Sequence, residues 1–280
     1  MWTLLLVEAL STLVTYSRLP PRELYHTSVG GVRGGFGRAL VDLNFPIALI
    51  ALGLLAVALN ALVGWRRIVY AAALAAVPMC VLTAFVVHQK DLDARPINAV
   101  PALGVVIVAT LTALAVRRES LAPTPRAAGD PLRIVLACVL ALIAVPWLFA
   151  AVGFYAPDPI YAHEIPKGEN LAAVHLGHHH GLDGVLFALA GLALSRALPA
   201  FQHRLLTACA SMVLALALAY GLANAFQDFE VEQLWKRGTV GWKAPSVLLP
   251  GLTWGWLAIL AFAVAIELGW FRRERRPRPV

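Results

Sequence analysis

The stretch "IVLACVLALIAVPWLFAAVGF" (134–154) carries no charge anywhere along its length. A helix needs about 20 apolar residues to cross a hydrocarbon layer ~30 Å thick. Inside that layer backbone N–H and C=O groups have to be satisfied within the segment, which favours helix. Working outward, the runs at 44–64, 68–88, 97–116, 170–195, 203–226 and 247–270 read the same way, and apart from 170–195 none shows a polar face at helical spacing. Residues 1–17 form a shorter run that contains Glu8. That run lacks a basic leader and a clear cleavage site, so it is read as a retained first helix. The predicted fold is all-α, a polytopic integral membrane helical bundle of about eight transmembrane helices. It forms one transmembrane domain over 1–270, followed by a basic tail at 271–280.

Composition agrees with that reading. The chain is 60% hydrophobic and 14% charged, against roughly 45–50% and 25% in soluble domains. Its net charge of +7 comes from basic residues that flank the apolar runs. Such placement points to the lipid bilayer, with anionic lipid at the basic face, and away from nucleic acid. Of the 23 Lys and Arg, 13 fall on the side of the carboxyl terminus, among them Arg66, Arg67, Arg117, Arg118 and the arginines of the tail. The positive-inside rule then puts both termini in the cytoplasm of a cell membrane. Cys80, Cys138 and Cys209 each sit inside an apolar run without a CxxC pairing, and read as small core residues.

That topology sorts the histidines. Of the eight, only His203 lies on the inner side; His26, His88, His163, His175, His178, His179 and His180 lie on the outer side. The densest group is "HLGHHHGLD" (175–183). A helix begun at Asn170 as N-cap would place His175, His179 and Asp183 at i, i+4 and i+8, in one stripe. His178 would lie beside the stripe and His180 would point away. Two imidazoles and a carboxylate suit a divalent transition metal, zinc, iron or copper, with His178, His88 and His163 as further donors. Solvated interfacial histidines, or a proton relay, are the alternatives on the same residues. The string "HLGHH" resembles one histidine box of membrane di-iron desaturases, but the further boxes that family needs are absent.

Two loops complete the expected outer face. "GGVRGGFGR" (30–38) reads as a glycine-rich linker whose Arg33 and Arg38 could cradle an anionic group, although without the GK[ST] of a P-loop. The stretch from Gln227 to Gly251 reads as a loop carrying Asp228, Glu230, Glu232 and Trp235, able to act as a lid. Arg33, Arg38, Glu164 and Trp235 are the expected substrate contacts. The absence of GxSxG and HExxH argues against a serine hydrolase and an HExxH protease. Three functions follow from these residues: a metal-dependent membrane enzyme acting on a lipid or other apolar substrate, a transporter with a histidine-lined entry site, or a non-catalytic subunit.

Overall fold

A computed structural model describes residues 1–88, 90–118, 126–155 and 173–275. Its helices are α1 (Trp2–Arg18), α2 (Gly31–Asp42), α3 (Leu49–Ala61), α4 (Arg67–Val81), α5 (Thr83–Val86), α6 (Ala99–Arg118), α7 (Asp130–Ala151), α8 (His180–Leu194), α9 (Arg204–Phe229), α10 (Trp254–Ile266) and α11 (Arg272–Arg275). No strand occurs among the described residues. Irregular or 3-10 turns join several of these into longer rods, and seven rods are long and apolar enough to cross a membrane. They run over Gly31–Ala61, Arg67–Val86, Pro96–Arg118, Asp130–Ala151, His180–Ala200, Arg204–Trp235 and Trp254–Arg275. The all-α polytopic bundle expected from hydropathy is therefore what forms. α1, the short run with Glu8, is a helix outside that set of seven.

Three boundaries differ from the sequence reading, each for a physical reason. The glycine-rich 30–38 stretch is helical, the start of α2, not a linker. A Cβ at Gly35 would strike the Ser17 side chain and the Leu13 carbonyl oxygen of α1. One at Gly34 would strike the Val29 carbonyl. These glycines permit close approach. The rod then breaks between α2 and α3, where Phe45 has φ −133° and ψ 122° ahead of Pro46. Asn44 and Asn98 secure the break: Asn98 Nδ2 donates to Asn44 Oδ1 at 2.6 Å, and Asn44 Nδ2 donates to the Asn98 carbonyl at 2.9 Å. Finally, α9 does not end near 226. It continues through a wide π-type turn, Glu230–Trp235, so Asp228, Glu230 and Glu232 ride on a helix and not in a loop.

α8 lies against α9 along a seam of small residues. A Cβ on Gly184 would come 2.5 Å from the Ala225 nitrogen, and one on Gly191 2.8 Å from the Leu214 carbonyl oxygen. Gly221 on α9 faces Ala188 of α8 just as closely. Small residues let helix backbones approach within a membrane, where no hydrophobic force drives helix association. Asn224 Nδ2 closes one end of the seam by donating to the His180 carbonyl at 2.8 Å. At the other end of α8, Arg133 pairs with Glu274 at 2.7 Å and lies over the Trp270 ring. Glu267 accepts from the Ser211 hydroxyl and from Arg275. Among the cysteines only Cys80 is buried; Cys138 and Cys209 face outward from their helices, which corrects the expectation that all three are core residues.

The seam makes a direct prediction. Gly184→Leu should lower the thermal midpoint of the detergent-purified protein, at an overpacking cost of about 1–3 kcal/mol. Gly269→Ala, with nothing within 4 Å of the added carbon, should leave that midpoint essentially unchanged.

Candidate metal centre and buried charge cluster

The segment ahead of α8 shapes the site. Helix begins only at His180; His179 is extended, with φ −125° and ψ 138°. The single-helix stripe of His175, His179 and Asp183 therefore does not form. Gly177 explains part of this. Its φ of +103° is a left-handed conformation, and a side chain there would run into Tyr16, whose hydroxyl oxygen would be 2.6 Å away. Tyr16 is fully buried, and its hydroxyl accepts from the His178 N–H at 3.3 Å. The Gly177 N–H in turn donates to the Ala150 carbonyl at 2.9 Å. The histidines supply the rest of the explanation. Carbonyls of His175 and His178 that would feed helical hydrogen bonds are taken by imidazole nitrogens instead.

Those bonds settle the chemistry of two rings. His175 Nε2 donates to the His178 carbonyl at 3.2 Å, and His179 Nε2 donates to the His175 carbonyl at 2.7 Å. A carbonyl only accepts, so each proton sits on Nε2 and each neutral ring keeps its lone pair on Nδ1. Both lone pairs converge on one carboxylate. His175 Nδ1 lies 3.6 Å from Glu232 Oε1, and His179 Nδ1 lies 3.3 Å from Glu232 Oε2. The two ring centroids are 4.1 Å apart. Lone pairs facing a carboxylate oxygen repel it unless a cation stands between them. His179 Nδ1 has no hydrogen-bond partner.

The surroundings hold these donors in place. Trp147 Nε1 donates to Glu232 Oε2 at 2.9 Å. Lys236 Nζ is 3.6 Å from Oε1 and donates to the Ala173 carbonyl. Tyr25 stacks on His175 at 4.5 Å. Burial pushes both imidazoles below their usual range, aided for His175 by the neighbouring His179, and His179 falls to about 4. They are neutral at pH 7, the state a metal requires. One donor atom each from His175, His179 and Glu232 falls within 4.8 Å of the others, a group able to hold a metal ion. Ligand histidines whose second nitrogen donates to a carbonyl are the usual arrangement around metals.

His178 turns the opposite way and behaves in the opposite sense. Its Nδ1 is 3.0 Å from Glu8 Oε1 and 3.6 Å from Asp42 Oδ1, and its Nε2 is 2.9 Å from Asp183 Oδ2. Burial alone would lower its pKa, but Asp183, Asp42 and Glu8 outweigh that and hold it well above 6.5. His178 is thus an imidazolium clasped between carboxylates. Arg38, buried over the Tyr16 ring, adds a second cation 3.4 Å from Asp42. Glu8, Asp42 and His178 form a second group with metal-holding geometry, although here the proton on His178 already fills the cation's role.

The residues expected from sequence are thus divided. His175 and His179 come together, whereas His178 and Asp183 meet on the other side of the segment. His88 is exposed, and its carbonyl accepts from the Asp91 N–H at 3.2 Å in a tight turn. Arg33 is exposed, and Trp235 is half-buried beneath Lys243, 4.6 Å from its ring centroid. His163, Glu164 and Asn170 lie outside the described residues. Glu232 and Asp42 were not anticipated. The signal for Glu232 was present: nothing between Phe226 and Trp235 breaks a helix, and Asp228 and Glu232 stand at i, i+4. A scan of family models and searches of curated proteins and solved structures returned no match, so the chemistry rests on this geometry.

Titration should separate the rings. In metal-free protein followed by imidazole NMR, His178 should stay protonated through pH 7, while His179 should stay neutral down to about pH 4. The sign for stability follows. Between pH 6.5 and 4 the unfolded chain takes up a proton that folded His179 refuses, so His179 favours unfolding as pH falls. His178 works in reverse, stabilising the fold below 6.5 and losing that contribution as pH rises through its elevated value.

Proposed function

We propose that this chain is a membrane-embedded metal-dependent enzyme acting on a lipid or other apolar substrate. The observation that carries the reading is the pair of buried lone pairs, His175 Nδ1 and His179 Nδ1, aimed at the Glu232 carboxylate. Two imidazoles and one carboxylate match the donor sets of zinc and non-haem iron sites that keep a position open for water or oxygen. The metal would supply an activated water or oxygen there, and Trp147 and Lys236 would hold the carboxylate in register.

A cavity of about 270 Å³ supports an apolar substrate. It lies between α3, α5, α8, α9 and α10, walled by side chains such as Phe45, Leu52, Phe187, Leu216 and Trp256. Its exposed lining residues, Ala84, Val213, Leu249 and Pro250, are all apolar, and the first two sit on membrane-length rods. An apolar molecule would enter there from the bilayer. The orientation proposed with this reading puts both termini in the cytoplasm, with the basic inner face against anionic lipid.

Transport is a second reading, favoured by the break at Phe45 beside the buried Arg38–Asp42 pair, since interrupted helices form transport sites. Flux into proteoliposomes under proton or metal gradients separates the two.

Metal analysis tests the main reading. Purified protein should carry about one zinc, iron or copper per chain. Glu232→Gln should lower metal affinity about 10–100-fold or more, and the double variant His175→Ala/His179→Ala should lose the metal. Metal-free wild-type protein that gains no thermal stability on titration with these ions would reject the site.

A further inference from the structure

The polar end of the cavity carries its own chemical signature. Arg38, His178, His180 and Asp183 contribute charged or imidazole side chains to the cavity lining, and Thr83 and Tyr220 contribute hydroxyls. Five lining residues present buried atoms without a hydrogen-bond partner, namely Arg38 Nε, Thr83 Oγ1, His180 Nδ1, Asp183 Oδ1 and Trp256 Nε1, with His180 Nδ1 3.8 Å from Asp183 Oδ2. Arg38 is 4% exposed and Asp183 is 0% exposed. A buried polar atom left unpartnered costs about 1–3 kcal/mol, so several around one cavity mark a place where a ligand completes the bonding.

The kinds of atom limit the ligand. Arg38 Nε is a donor and needs an acceptor. Asp183 Oδ1 is an acceptor and needs a donor. His180 Nδ1 serves in either sense, according to its tautomer. A carboxylate or phosphate head group only accepts, and it would be repelled by Asp183. An ammonium only donates, leaving Arg38 unsatisfied and facing like charge. A hydroxyl does both. It can donate to Asp183 Oδ1 while its oxygen accepts from Arg38 Nε–H. The remainder of the cavity is mostly apolar, with Phe45, Leu49, Phe187 and Ala217 in its wall, and only the Thr83 and Tyr220 hydroxyls and the Trp256 Nε1–H add polar atoms there.

We infer that this cavity binds a neutral single-chain amphiphile, hydroxyl head at Arg38 and Asp183 and alkyl tail among the apolar side chains of α3, α8, α9 and α10. The inference deepens the enzyme reading, on which it rests only for regarding the occupant as substrate. Binding itself uses none of His175, His179 or Glu232. His178 links the two sites structurally: its ring lines the cavity and its carbonyl accepts from His175 Nε2.

The test measures binding of dodecanol, dodecanoate and dodecylammonium to the full chain in nanodiscs at pH 7, with and without chelator. Dodecanol should bind saturably in both conditions, and the two charged probes should bind at least about tenfold more weakly. Arg38→Lys, which keeps the charge but loses Nε, should weaken dodecanol about tenfold. Ala217→Trp, which fills the apolar end, should abolish binding yet leave metal content unchanged. Equal affinity for the three probes, or tighter binding of either charged one, overturns the inference even if either variant fails to fold, because that comparison uses wild-type protein. Loss of dodecanol binding on chelation would also overturn it. A protein that binds the alcohol but no metal would refute the enzyme reading and leave this site standing.

Discussion

A charged imidazole can be buried only if carboxylates surround it, and His178 takes them from three separate helices. Glu8 comes from α1, Asp42 from the end of α2 and Asp183 from α8. Removing one partner would strand charge in a low-dielectric interior, where an unpaired ion costs several kcal/mol. The requirement ties the amino-terminal helices to the centre of the bundle. It also sets the path of 173–179, because one ring drawn toward α1 obliges its neighbours to face the other way. Gly177 provides that reversal, and Tyr16 occupies the space a side chain would have needed.

The resulting division of protonation states follows from the same geometry. His178 has carboxylates at both nitrogens, so the proton is held. His175 and His179 give their Nε2 protons to carbonyls and turn bare Nδ1 atoms toward Glu232, so further protonation is resisted. Five consecutive residues, 175–179, thus contain a fixed cation and part of a ligand set that wants one. Neither property belongs to histidine as a residue type. Each is assigned by the hydrogen-bond partner at the far side of the ring.

Much of the molecule was legible in hydropathy. Each of the seven membrane-length rods overlaps one of the apolar runs, although several ends are shifted, and Asn60 and Asn224 bond between elements, to Ala200 and His180. The histidine-rich segment was visible as the place where chemistry gathers. Its internal arrangement was not, because a stripe at i, i+4 and i+8 presumes helix and Gly177 instead adopts a φ of +103°. Glycines at 34 and 35 looked like flexibility and prove to be contact surface, since a sequence does not say which neighbour a missing Cβ admits. Glu232 was hidden by reading charge as loop, when a buried partner can keep an acidic turn helical.

Residue types and their periodicity decided the class of structure, the apolar runs from which the long helices form, and the segment where imidazoles concentrate. Those outcomes depend on local burial and backbone satisfaction, which a chain carries in its own order of residues. Tertiary packing alone decided that Glu232 meets His175 and His179, that Asp183 meets His178, and that an apolar cavity ends at Arg38. Such pairings join groups up to 170 positions apart, as Glu8 and His178 are, and no local pattern encodes which distant side chain will arrive. The distinction is physical: hydropathy acts residue by residue, whereas a buried charge is satisfied only by the particular partners that the assembled bundle brings to it.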